Sequence, residues 1–170
     1  RTAAAQVAKA RPGGAPLPAG AGAVYFAASP VPGIVELHRA GRDAGSAARV
    51  VDLNSTDSGT VTVLGASGGT VYFTGRDPND VLMAWSGSTA SLIDGAPAGQ
   101  LAAFLVGDEL VYTRGPTLEL TWLRADGGQR LRTLPAARPT RQPATLGDRL
   151  FTPINNRLLE LQLSGQPQVL

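Results

Sequence analysis

Short apolar runs broken by turn residues fill most of the chain, and within them apolar and polar side chains alternate. "GTVTVLG", "TVYFTG", "DVLMAWS" and "ASLID" follow one another from Gly59 to Asp94. "QLAAFLV", "ELVYTR", "LELTWLR" and "QRLRTL" do the same from Gln100 to Leu134. Alternation with a period of two over such short stretches predicts β-strands with one face turned toward a core. "GRDPND", "SGST" and "ADGG" separate them, and these residues accept positive φ or cap their own backbone, so they read as turns. No window of comparable length keeps a helical period.

The order of segments recurs. "GGTVYFT" begins at Gly68, "GDELVYT" at Gly107 and "GDRLFT" at Gly147, at steps of 39 and 40 residues, and "GAVYFA" from Gly22 is an earlier copy. A fourth unit runs "PATL", "RLFTP", "RLLELQL", "PQVL". Self-similarity at this spacing, with four strands per unit, predicts small antiparallel sheets that stack because one sheet cannot bury both faces alone. The expected fold class is all-β, a β-propeller-like array of about four antiparallel four-stranded blades, either a closed small ring or a partial propeller. A β-sandwich is the alternative. The first unit lacks an obvious opening strand.

The first unit, "VYFAASPVPGIVELHRAGRDAGSAARVVDL", resembles a bacterial secreted propeller-like repeat with an aromatic strand, Glu-Leu-Trp, an Asp-Gly-Thr turn, a Gly-Thr pair and a closing Val-x-Asp-Ile. Tyr25 and Phe26 match the aromatic strand, Glu36 and Leu37 the Glu-Leu pair, Gly45 and Ser46 fall near Gly-Thr, and Val50, Asp52 and Leu53 match the close. Glu119-Leu120 and Glu160-Leu161 repeat the pair. His38, Ala84, Thr121 and Gln162 stand at the Trp position, and the Asp-Gly turn is kept at Asp126-Gly127. The resemblance covers most of residues 22 to 170. It implies an exported bacterial protein, in the envelope, the periplasm or secreted, with no catalytic residue to carry over.

Residues 1–21 are rich in Ala, Pro and Gly and nearly empty of large apolar side chains, so they bury too little surface to offset their ordering entropy. They are expected to be a tether to a propeller-like domain at 22–170, with Ala4 to Ala10 as an edge strand the alternative. The chain opens on Arg1 rather than Met, as expected of a processed or trimmed protein. Its 170 residues suit one folded unit.

Charge changes the picture little. Net charge is +2, but three of the 15 basic residues (Arg1, Lys9 and Arg11) lie in the tether, leaving 12 against 13 acidic residues. The local excess at Arg130, Arg132, Arg138 and Arg141 reads as solvated strand and loop residues, so no nucleic-acid partner is expected. Absence of cysteine removes disulfides, thiolate catalysis and Cys-based metal sites. The longest apolar run, Leu101 to Val106, falls far short of the roughly 20 residues of a membrane-spanning helix.

Candidate chemistry is sparse. Gly65-Ala66-Ser67-Gly68-Gly69 fits G-x-S-x-G, but a nucleophile elbow needs a helix after the serine and "TVYF" predicts a strand. His38 is the sole histidine and the one possible imidazole base, but in the strand-like "IVELHRA" it alternates with Val35 and Leu37 and is expected to point outward, and one histidine is too few for a zinc site of usual composition. Asp52, Asn54 and Asp57 resemble a calcium loop but put Asp where glycine is needed, and no bidentate Glu closes it. Asp77, Asn79 and Asp80 read as the same kind of polar turn. A glycosidase needs paired carboxylates aimed at one bond from a cleft; of the four glutamates, Glu36, Glu109, Glu119 and Glu160, three (36, 119 and 160) are expected at equivalent strand positions in structural roles such as pairing with a neighbouring strand's Arg or backbone. Trp85 and Trp122, one per unit, are expected in blade packing. No catalytic, cofactor-binding or metal-ligating residue is assigned. The expected function is a non-catalytic interaction or scaffold module that binds another protein subunit or a cell-surface polymer. The rival is a propeller-type carbohydrate hydrolase or lyase.

Overall fold

In the computed structural model the described residues are 17–19, 22–31, 34–41, 47–51, 60–76, 79–115, 119–124, 130–135, 142–147, 149–154, 156–162 and 168–169. They form sixteen strands in four antiparallel four-stranded meanders. Sheet 1 contains β1 (Leu17–Ala19), β2 (Ala23–Val31), β3 (Ile34–Ala40) and β4 (Ala48–Val51). Sheet 2 contains β5 (Thr60–Ser67), β6 (Thr70–Arg76), β7 (Asp80–Trp85) and β8 (Ala90–Ala96). Sheet 3 contains β9 (Leu101–Val106), β10 (Glu109–Arg114), β11 (Glu119–Arg124) and β12 (Arg130–Pro135). Sheet 4 contains β13 (Ala144–Leu146), β14 (Arg149–Ile154), β15 (Arg157–Gln162) and β16 (Gln168–Val169). The segments expected from the alternation are these strands. Sheet 1's opening strand comes from Leu17–Ala19, inside the stretch read as a tether, while Ala4 to Ala10 lie outside the described residues.

Two-residue turns set the pitch of the repeat. Gly68 and Gly69 join β5 to β6 with φ of 56° and 82°, the double positive-φ geometry whose twist matches the flanking strands. The chain divides into two compact units, Arg1–Ala98 and Gly99–Leu170.

Each unit has a core between two sheets. In the first, Ala23, Tyr25, Ala27 and Leu37 of sheet 1 meet Val61, Val71 and Phe73 of sheet 2, with Met83 and Trp85 at the margin. In the second, Val111, Leu120 and Trp122 of sheet 3 meet Leu150 and Leu161 of sheet 4. The two cores use the same rule. Strand alternation gives every sheet one face carrying the first, third and fifth residues of its second strand, and an opposite face carrying the second and fourth. Sheets 1 and 3 lay the odd-numbered face, here called the forward face, on the even-numbered, or backward, face of the next sheet in sequence.

One leucine marks the forward face in all four sheets. The fifth residue of the second strand is Ala27, Thr74, Thr113 or Pro153, and opposite it stands Leu37, Leu82, Leu120 or Leu158. The first three are 0%, 0% and 1% exposed, whereas Leu158 is 40% exposed. Burying such a side chain is worth about 1.5–3 kcal/mol, so this position contributes to the sheet-on-sheet cores through Leu37 and Leu120, is buried as Leu82 in sheet 2, and contributes less in sheet 4.

Candidate functional site

Two polar groupings lie on sheet faces that the two cores do not use. On the backward face of sheet 1, Phe26 of β2 lies opposite His38 of β3, and their rings stack at 5.8 Å with 25° between planes. Two residues earlier on β3, Glu36 is 3% exposed. Its Oε1 accepts a hydrogen bond from Arg49 Nη1 of β4 at 3.1 Å. Glu36 Oε2 and His38 Nε2 are buried without a hydrogen-bond partner. Burial lowers the His38 pKa from its ordinary value, the Glu36 carboxylate opposes this, and Arg49 reinforces it. The imidazole is therefore neutral at pH 7.

On the forward face of sheet 4, Arg149 Nε donates to Glu160 Oε1 at 2.7 Å, and the Gln162 side-chain amide donates to the same oxygen at 3.0 Å. The Arg149 guanidinium also lies 5.0 Å from the centre of the Phe151 ring. Leu146, 66% exposed, and Leu158 share this face. The Arg149 and Gln162 donors hold the Glu160 carboxyl down to about 2 from its ordinary 4.5. A carboxyl lowered on folding stabilises the fold above its unfolded pKa, and that contribution fades as pH falls through the folded one. In urea unfolding, wild type is expected to exceed Glu160→Gln in stability at pH 7, and the gap to narrow from about pH 4.5 down to pH 2. A gap independent of pH would show that the carboxylate charge contributes nothing.

Asp80 and Glu109 are also engaged. Asp80 begins β7, is buried, and pairs with Arg76 directly opposite it on β6. The sequence placed Asp80 in a polar turn, since nothing local reveals that the strand starts there. Trp122 Nε1 donates to Glu109 Oε2 at 2.6 Å across β11 and β10, a contact sequence reasoning missed because its partners lie 13 residues apart.

Register corrects two further expectations. Glu36 and Glu119 do precede equivalent leucines, but in sheet 4 that leucine is Leu158, so Glu160 lies three positions beyond the expected site and on the opposite face. Trp85 and Trp122 both pack in cores, yet Trp85 lies on the backward face of sheet 2 and Trp122 on the forward face of sheet 3. Ser67 is the buried last residue of β5 and is followed by the Gly68-Gly69 turn into β6, so the G-x-S-x-G stretch is a hairpin. Asp52, Asn54, Asp57 and Asp77 lie outside the described residues, as do Arg138, Arg141 and the Glu119 side chain. No cluster of three or more His, Cys, Asp or Glu suited to a metal ion occurs among the described residues. No helix among them is long and apolar enough to cross a membrane.

No family model and no curated protein sequence matches the chain. Solved structures do, at the level of fold. The nidogen/laminin complex aligns with a TM-score of 0.54 and 14% identity over 91% of this chain and 62% of that one. BamB from Moraxella catarrhalis aligns with 0.55 and 16% over 91% and 49%, and a prolyl endopeptidase with 0.56 and 11% over 91% and 25%. The matching proteins are β-propellers, and the four sheets form a propeller-like array. The chain thus spans between a quarter and just under two thirds of the length of these matches.

Proposed function

We propose that the chain is a non-catalytic interaction module of a bacterial envelope or secreted protein, binding another protein or a surface polymer through its blade edges and loops. The observation that carries this is the state of the described acids. Glu36, Asp80, Glu109 and Glu160 each bind a donor on their own or a neighbouring strand, which suits bracing of sheets better than proton transfer, where a carboxyl must reach a substrate atom. The chain's one histidine is stacked on Phe26 within its own sheet. A propeller that presents loops and edges on braced sheets is a rigid platform for recognition. The nidogen/laminin complex shows a protein of this fold class bound to another protein. The extracytoplasmic location rests on the repeat resemblance at Tyr25-Phe26, Glu36-Leu37 and Val50 to Leu53.

The carbohydrate hydrolase or lyase is the competing class, and a reducing-end assay on a panel of neutral and acidic polysaccharides separates the two. Wild type is expected to release no more reducing ends than buffer, and His38→Ala, Glu36→Ala, Glu109→Ala and Glu160→Ala to behave alike. Release by wild type that His38→Ala or Glu36→Ala abolishes would replace the module with an enzyme.

A further inference from the structure

Asp80, Asp94 and Asp108 are the aspartates among the described residues, and of these Asp94 alone is followed by glycine. Its carboxylate folds back on the chain, where Gly95 N donates to Asp94 Oδ1 at 2.8 Å. That contact restricts the two torsions of Asp94, about Cα–Cβ and Cα–C, that separate the Gly95 nitrogen from Asp94 Cγ. Restricting torsions before a reaction is what makes an intramolecular step fast. The strand around the pair is the kind that opens cheaply. β8 is the last strand of sheet 2 and pairs with β7 alone among the described residues. Its ladder is also broken one residue before Asp94, since Leu82 faces Asp94, Met83 faces Leu92 and Ile93 is left out as a bulge. Gly95 is exposed, and a Cβ there would meet only the Asp80 backbone oxygen, at 3.6 Å.

We propose that Asp94-Gly95 is a site of spontaneous covalent modification, at which the folded chain converts aspartate to isoaspartate. With the carboxyl protonated, the Gly95 nitrogen attacks Asp94 Cγ. The N–Cγ bond forms, the amide proton and the carboxyl hydroxyl leave as water, and the product is a five-membered cyclic imide. Water then adds to one of the two ring carbonyls. Addition at Cγ restores aspartate, whereas addition at the Asp94 main-chain carbonyl breaks its bond to the Gly95 nitrogen and leaves the chain running through Cβ and Cγ. One water is lost and one is gained, so mass is unchanged and no oxidant or co-reactant enters. The isomer carries one more carbon in its main chain, which displaces Gly95 and Ala96 from Val81 and Asp80, their partners on β7. Ala96 is buried, and Asp80 is the buried partner of Arg76. This corner of sheet 2 is therefore what the modification loosens.

Ageing the whole folded chain in neutral buffer at body temperature, followed by proteolysis and liquid chromatography with electron-transfer mass spectrometry, tests this. The peptide that holds Asp94 is expected to split with time into two forms of equal mass, one with the isoaspartate fragmentation signature. Gly95→Ala puts a methyl group beside the attacking nitrogen, and Asp94→Glu requires a six-membered ring in place of a five-membered one. Each is expected to slow the splitting by about tenfold or more, with circular dichroism unchanged. Parallel ageing in urea supplies the control, and Asp126-Gly127, the chain's other Asp-Gly step, shows there that the isomer is detected. An Asp94 peptide that stays single in the folded chain, or splits only in urea, would overturn the proposal, because the reaction would then belong to the dipeptide and not to the strand that holds it. Equal rates in wild type and Gly95→Ala would overturn it as well. The polysaccharide assay above is independent of these outcomes.

Discussion

Trp122→Ala is expected to cost about 3–5 kcal/mol of unfolding free energy, the range for removing a large buried aromatic side chain. Trp122 is fully buried among Val111, Leu120, Leu150 and Leu161. The substitution also deprives Glu109 Oε2 of the indole donor it holds at 2.6 Å, and a polar group that loses its partner costs about 1–3 kcal/mol where it stays buried. Domains of this size are stable by about 5–15 kcal/mol, so the variant should lose about a fifth or more of its margin. Trp122→Phe keeps most of the volume and removes only the donor, so it should lose less than half as much. Urea titrations followed by far-UV circular dichroism give both numbers. A loss below about 1 kcal/mol for Trp122→Ala would mean that sheets 3 and 4 are not stacked through this side chain.

The second large effect is a contrast between equivalent leucines. Leu37→Ala, Leu82→Ala and Leu120→Ala should each cost about 2–5 kcal/mol, because each removes a fully buried side chain from a sheet face. Leu158→Ala, at the same register position in sheet 4, should cost under about 1 kcal/mol in dilute solution, since water already reaches much of it. The four variants share one chemistry and one place in the strand, so the spread measures only what lies over each face. Four equal losses would show that something buries Leu158 in solution as fully as the other three.

Strand positions were legible because they depend on neighbours in the chain. Alternation in "TVYFTG" and "ELVYTR" and the glycines at 68, 69, 107 and 147 are local signals, and each unit's four strands follow from them. Glu160 shows where such reasoning stops. Aligning Glu-Leu pairs placed it with Glu36 and Glu119, but hairpin register moves it three residues and turns it to the opposite face. Leu158, the true counterpart of Leu37, carries no motif. Asp80 and Glu109 were likewise unreadable, since their roles depend on Arg76 and Trp122 across a strand pair. Residue type indicated that Trp85 and Trp122 pack in cores, but their faces follow from pairing.

By itself the amino-acid sequence determined the all-β class, the forty-residue rhythm and four strands per unit, because side-chain alternation and turn chemistry act over a few residues. Tertiary structure alone decided which faces of sheets 1 and 2, and of sheets 3 and 4, meet, which acids find donors, and that Leu158 stands in water while Leu37, Leu82 and Leu120 do not. Those outcomes depend on hairpin register and on what covers each face, and in a β-structure a single step of register exchanges the two faces.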